Sequence, residues 1–290
     1  MVAHGLRNRV TQLSSVYRRL TVVLCEYDQA IYNLSRQAAE LVTEGQEHPY
    51  WCYGSWSAVY THAPLSQTRR VSVDMSQREL YWMLSGSGAT QHDRCAKITP
   101  DVERMWSPWA TDELGPMYGV QWRYGGPDGA YDAVEDVVSR LIEQPTTKRA
   151  VWTAWQGYEV AGMRIPPCPV VWAFNVIGGR VNLDIFARST DVVCGLPYDT
   201  LEGWMLIHLM ANTLRKHGHG VAPGHLRFTT ANAHVYCQNL DVWHKMLMPA
   251  RVESEVEFIP SKQGVLEFKG KGFKAVDYRA PIYSAKVVVV

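Results

Sequence analysis

Arg188-Ser189-Thr190-Asp191-Val192-Val193-Cys194-Gly195-Leu196-Pro197-Tyr198-Asp199 is the stretch on which the reading of this chain turns. Upstream of it, Ile165-Pro166-Pro167-Cys168-Pro169 sets a thiol behind two prolines, which remove backbone donors and fix the chain's direction. Arg188-Ser189 closes a strand-like run over 181–187, rigid backbone on which a guanidinium can clamp an anion. Strand patterns over 170–176 and 180–187 flank Ile177-Gly178-Gly179 and predict a hairpin that sets Cys168 across from Arg188. Past the stretch, 200–217 predicts a long helix ended by Gly218, with Leu201, Trp204, Met205, His208 and Leu209 as its buried stripe.

The flanking chain reads as scaffold. Ile31, Leu34, Ala38 and Leu41 recur at helical spacing and predict a helix over 27–44. Short strands are expected at 56–60 and 70–73. Ser76-Gln77-Arg78-Glu79 reads as a capping box that opens the next helix, with Leu80, Trp82 and Met83 behind it. Residues 89–116 read as loop around Trp106 and Trp109, and a helix over 130–143 shows Ala133, Val137 and Leu141 on one face. An exposed turn at 144–149 leads to a strand at 150–155, with further strands expected at 226–230, 253–259 and 284–290. Hairpins mixed with helices predict an α+β fold in one domain over 1–290, with 1–20 as a peripheral arm.

Composition narrows the function classes. Of the 290 residues, 47% are hydrophobic and 20% charged, and the net charge is +1. That balance offers nothing for bulk attraction to nucleic acid or an anionic membrane, so an anion must be held by a local cluster. No apolar run approaches the roughly 18 residues of a membrane span, and the polar N-terminus lacks a signal-peptide stretch. Six scattered cysteines show neither CxxC nor zinc spacing, which reads as reduced thiols in a cytoplasmic protein with no metal. Eleven tryptophans and fifteen tyrosines read first as core and second as stacking surface for flat ligands.

Chemically, a cation beside Cys168 favours its thiolate, and Arg188 is placed to supply it. Lys148-Arg149 on their turn suit an anion, Glu79 and Tyr118 suit proton transfer, and His234 and Tyr236, two apart, share one side of an extended segment and suit a sugar hydroxyl. Each also has a plain reading: inert core thiol, helix cap at Asp199, capping box at Glu79, solvated turn at 148–149.

Together the motifs resemble the thymidylate synthase superfamily. They are Leu114-Gly115-Pro116-x-Tyr118-Gly119-x-Gln121-Trp122-Arg123, Pro145-Thr146-x-Lys148-Arg149, Pro166-Pro167-Cys168, Arg188-Ser189-x-Asp191 with Gly195-Leu196-Pro197-Tyr198, and Ala233-His234-Val235-Tyr236, in the family's order. Val287 to Val290 resemble its closing tail, whereas the N-terminal quarter lacks its Arg-Thr-Gly phosphate loop. The resemblance implies a mixed sheet flanked by helices and a homodimer packed sheet to sheet, with each site completed by the other chain. It further implies that Cys168 adds to carbon 6 of a pyrimidine nucleotide, and that 5,10-methylenetetrahydrofolate supplies a one-carbon unit to carbon 5. Arg188 and Ser189, with the other chain's Lys148 and Arg149, would hold the phosphate; His234 and Tyr236 would hold the sugar. Glu79 and Tyr118 would organise proton transfer, while Asp191, Trp106, Trp109, Gly195 and Val290 would surround the cofactor.

Thymidylate synthases carry asparagine after Leu-Pro-Phe; here the position is Asp199. A carboxylate accepts from cytosine's amino group, and a proton shared with ring nitrogen 3 completes the pair. An aspartate there resembles the cytidylate hydroxymethylases, both the phage deoxycytidylate type and the CMP type of nucleoside-antibiotic biosynthesis (mildiomycin). Pro169, Ala187, Lys148 and Asn232 depart from the synthase pattern. The expectation is 5-hydroxymethylation of CMP, or of dCMP. The rivals are thymidylate synthase-type reductive methylation and a catalytically idle paralogue that binds nucleotide or RNA.

Overall fold

The computed structural model describes residues 25–43, 47–110, 112–248 and 256–288. The expected arm at 1–20 and the tail residue Val290 lie outside them. In chain order the regular elements are α1 (Glu26–Ser35), β1 (Glu40–Val42), β2 (Tyr50–Tyr60), α2 (Val73–Leu84), β3 (Ala96–Lys97), α3 (Glu103–Trp106), β4 (Glu113–Gly115), α4 (Gly119–Arg123) and α5 (Ala133–Glu143). They continue with β5 (Val151–Thr153), β6 (Pro169–Ile177), β7 (Arg180–Ala187), β8 (Thr190–Asp191), α6 (Leu196–Lys216), β9 (Ala222–Tyr236), α7 (Leu240–Met246), β10 (Glu257–Ile259) and β11 (Lys274–Val276). The fold is mixed α+β.

A seven-stranded sheet runs β1-β2-β9-β7-β6-β5, with β8 also paired to β9. β7 and β8 each pair β9 in parallel, and the other pairs are antiparallel. Gly178 and Gly179 both take positive φ, 57° and 70°, the conformation a two-residue turn between twisted strands demands. α6 lies against β7 and β9 and is buried almost all round, from Leu201 through Leu214. It approaches so closely that a Cβ on Gly203 would stand 2.7 Å from Ile185 Cδ1. Trp122 packs edge-on against Trp172 at 4.8 Å and tilts on Trp152 at 5.5 Å, so most tryptophans do fill core. The opposite sheet face leaves Val59, Val151 and Phe186 exposed beside the Ser57–Thr229 hydroxyl pair.

Five sequence expectations are corrected. The helix over 27–44 stops at Ser35, because the next residues turn to extend the sheet edge, where Leu41 pairs with Trp51. Residues 70–72 are loop, not strand, and Val73 already begins α2. Ser72 is that helix's cap, its Oγ accepting from the Met75 N–H at 3.2 Å; Ser76 sits inside the first turn and its Oγ donates to Ser72 O. Glu79 is therefore mid-helix. α6 begins at Leu196, with Pro197 in its first turn, so Asp199 is a helix residue and not a cap. Residues 284–288 form no strand: the Asn239 side chain holds them from both sides of Lys286, accepting from its N–H and donating to its carbonyl, each at 2.8 Å.

Candidate active site

Sheet register assembles the site. β6 and β7 pair Pro169 with Ala187, and one residue further on the Arg188 N–H donates to Cys168 O at 2.9 Å. The chain then re-enters the sheet at β8, where Asp191 faces His234. These ends open into a cavity of about 990 Å3, lined by Cys168, Arg188, Ser189, Asp191, Gly195, Asp199, His234, Tyr236, Glu79, Tyr118, Trp106 and Trp109. Lys148 and Arg149 do not line it; both are exposed on their turn.

Arg188 spends much of its fork on the nucleophile's own loop. Nε donates to Pro167 O at 3.0 Å, Nη2 to Pro166 O at 2.6 Å and Nη1 to Ser189 Oγ at 3.3 Å, with the guanidinium over the Trp155 ring. Ser189 Oγ stands 3.8 Å from Cys168 Sγ. Burial pushes the Cys168 thiol above its usual value; Arg188 pulls the other way, and Asp199 and Asp191 oppose it. Burial and the two nearby carboxyls thus work against the thiolate that Arg188 favours.

Tyr118 takes φ 42°, a region costly for a side-chain-bearing residue, and is held there by its neighbours. Gly119 makes this approach feasible, since a Cβ there would lie 2.2 Å from Met83 O. The Tyr118 hydroxyl accepts from the Cys168 N–H at 3.4 Å. Glu79 Oε1 accepts from Trp106 Nε1 at 2.9 Å, and burial raises the proton affinity of the Glu79 carboxyl. Asp199 is pushed well above the carboxylate range by burial first, then by Glu79 and Asp191.

Asp191 turns its Oδ1 to its own loop, accepting from Val193 N at 2.8 Å and Cys194 N at 3.1 Å. His234 and Tyr236 meet edge to face at 5.1 Å, and Asn232 Oδ1 accepts at 3.2 Å from His234 Nδ1. That bond places the proton on Nδ1. Burial lowers the imidazole's pKa, while the neighbouring Asp191 acts to raise it.

Several lining residues were not singled out in the sequence. Tyr50 is tilted against His234 at 5.3 Å and meets Tyr236 edge-on at 5.7 Å, and Arg70 and Arg104 stand on the lining. Arg69 reaches under the loop to donate to Val193 O. Only the Arg69-Arg70 doublet was visible as a signal. Glu202, a lone acid inside an apolar helical run, packs beside Glu79.

The cavity's chemistry fits a nucleotide and a flat heterocycle together. Its volume lies at the upper end of small-molecule sites, about 300–1,000 Å3. Trp106 and Trp109 lie 5.2 Å apart, and Trp109 Nε1 is buried without a hydrogen-bond partner, a donor left for something other than the described residues.

A half-buried thiol on a proline-bracketed loop thus stands beside carboxyl and phenol groups in an α+β frame, an arrangement of the kind covalent group transfer uses. The family model described as Thymidylate synthase matches residues 55–289, and the chain belongs to the thymidylate synthase family. Membership makes it a one-carbon transferase of pyrimidine-nucleotide metabolism, in a family whose members methylate or hydroxymethylate their substrates and typically use methylenetetrahydrofolate. Among the described residues no helix is long and apolar enough to cross a membrane.

Proposed function

We propose that this chain is a homodimeric cytidylate 5-hydroxymethylase acting on CMP, with dCMP the alternative, and using 5,10-methylenetetrahydrofolate. The observation that carries this reading is Asp199, a carboxyl on the cavity wall where thymidylate synthases carry asparagine, its proton affinity raised by burial and then by Glu79 and Asp191. Cytosine presents a bare ring nitrogen 3 beside an amino donor. It pairs with the carboxyl whether the shared proton rests on Asp199 or on the ring. Uracil pairs only with the neutral acid, because loss of the proton sets a carboxylate against its oxygen 4.

In this reading Cys168 adds to carbon 6 while Asp199 supplies the proton that lets the ring accept the charge. Arg188 and Ser189 bind the phosphate, and His234 Nε2 with the Tyr236 hydroxyl binds the sugar. Glu79 and Tyr118 hold the protons that move during addition and elimination. Trp106, Trp109, Asp191, Gly195 and the chain end hold the cofactor, which supplies the one-carbon unit; water then completes the hydroxymethyl group. The exposed sheet face bearing Val59, Val151 and Phe186 takes the second copy, bringing its Lys148 and Arg149 to the phosphate.

Tritium release from carbon-5-labelled CMP, dCMP and dUMP, each with methylenetetrahydrofolate, tests the reading. Release from a cytidylate without dihydrofolate absorbance is expected. Release from dUMP with dihydrofolate would replace it with thymidylate synthesis, and no release from any would favour an idle paralogue. Cys168→Ala should bind nucleotide yet release no tritium; residual turnover would remove Cys168 as nucleophile.

A further inference from the structure

Glu202 is buried on α6 and takes no part in the chemistry described above. Its carboxyl lies within hydrogen-bonding reach of Glu79, and its Oε1 has no hydrogen-bond partner among the described residues. A second, small cavity of about 20 Å3 shares Glu79, Tyr118 and Asp199 with the main one and is lined also by Glu202, with apolar walls such as Trp122 and Trp172. One water needs roughly 10–15 Å3 and two to four polar partners, and this space offers both.

Among the described residues, the groups that line this space with Glu202 carry no positive charge. From α2 comes Glu79, itself bonded to the Trp106 indole; from its own helix comes Asp199; from the loop before α4 comes the Tyr118 phenol, beside Cys168. Burial first, then Glu79 and Asp199, push Glu202 well above the carboxylate range. Three carboxyls packed this way cannot all ionise.

We propose that Glu202 is a positioning residue that shares a proton with Glu79 and, through one water in the small cavity, with Asp199, so that the cluster keeps a single negative charge while that charge moves between them. The proposal rests on the cytidylate reading. As the Cys168 sulfur bonds to carbon 6, its proton passes to Glu79. The carbon 5–carbon 6 electron pair shifts through carbon 4 to ring nitrogen 3, which takes the proton of Asp199. The cluster gains one proton and loses one, and Glu202 keeps its own. No outside acid or base enters the balance.

The test compares wild type with Glu202→Gln, which preserves shape and donation but cannot ionise. Two readouts are needed: infrared titration of the protonated-carboxyl band in the nucleotide-free protein, and the pH profile of carbon-5 tritium release. The variant should lose infrared intensity at neutral pH and release tritium roughly tenfold more slowly, part of the 10²–10⁴ a positioned acid–base group gives. Its alkaline limb should move to higher pH, because glutamine has no proton to lose. An unmoved limb, or an unchanged infrared band, would overturn the proposal. If Glu202→Gln fails to fold, the infrared titration of wild type against Glu79→Gln decides. Loss of the shared band in Glu79→Gln supports the pair, and its persistence overturns it. A wild type that releases no tritium from cytidylate would sink the functional reading, while the infrared arm still reports on Glu202.

Discussion

Asp199 concentrates the residue-scale chemistry. Burial, then Glu79 and Asp191, raise its proton affinity, and a carboxyl that holds its proton can lend it to a bare ring nitrogen. Exchanging it for asparagine fixes a donor and an acceptor in place and removes the mobile proton. Asp199→Asn should therefore shift preference from cytidylate to uridylate by about 1.4–2.7 kcal/mol, roughly 10- to 100-fold in the ratio of kcat/KM. Competition between labelled CMP and UMP, and between the deoxy pair, measures it; a variant that still prefers cytidylate would show that Asp199 does not read the base. The sequence disclosed this residue because it stands in a motif. Glu202 stands in none, and an acid in a helical run looks like a solvated one until the helix is seen to be buried on every side.

At the scale of elements, the start of α2 is decided by which serine caps it. Both Ser72 and Ser76 precede a plausible helix, and the pattern Ser-x-x-Glu favoured the second. The structure uses the first, which places Glu79 two turns inside, where its carboxyl reaches the cavity instead of its own backbone. Ser72→Ala should cost about 1 kcal/mol in urea unfolding, as N-cap losses do, and Ser76→Ala well below that. Equal losses would restore the capping-box reading. The hairpin at Gly178-Gly179 and the body of α6 were legible because turn chemistry and apolar period agree there. The run over 284–288 was not: β-branched valines suggest a strand, but the segment's backbone is bonded to the Asn239 side chain and pairs with no strand among the described residues.

For the whole molecule, the placement of Lys148 and Arg149 is the informative feature. A cation pair outside its own cavity, together with an apolar sheet face open to solvent, matches a site completed across a two-fold axis. Mixing inactive Cys168→Ala with inactive Arg149→Ala should then restore roughly a quarter of wild-type tritium release, since half the dimers are mixed and each carries one intact site. No recovery after subunit exchange would place the phosphate ligands within one chain. The assignment of Lys148 and Arg149 to a second chain's cavity comes only from family resemblance, because spacing along one chain is silent about a second.

The pairing of β2 with β9 joins Tyr50 to Tyr236 across most of the chain. Contacts that distant in sequence close late, after the local hairpin and helices, because the loop between them must first be ordered. During synthesis the thiol loop and its arginine would emerge and pair well before the strand that carries His234 and Tyr236. A nascent chain would thus hold its reactive sulfur in a half-built sheet, open on the β9 side, and the passage from ribosome to finished sheet would be its period of greatest exposure to oxidation and misassociation.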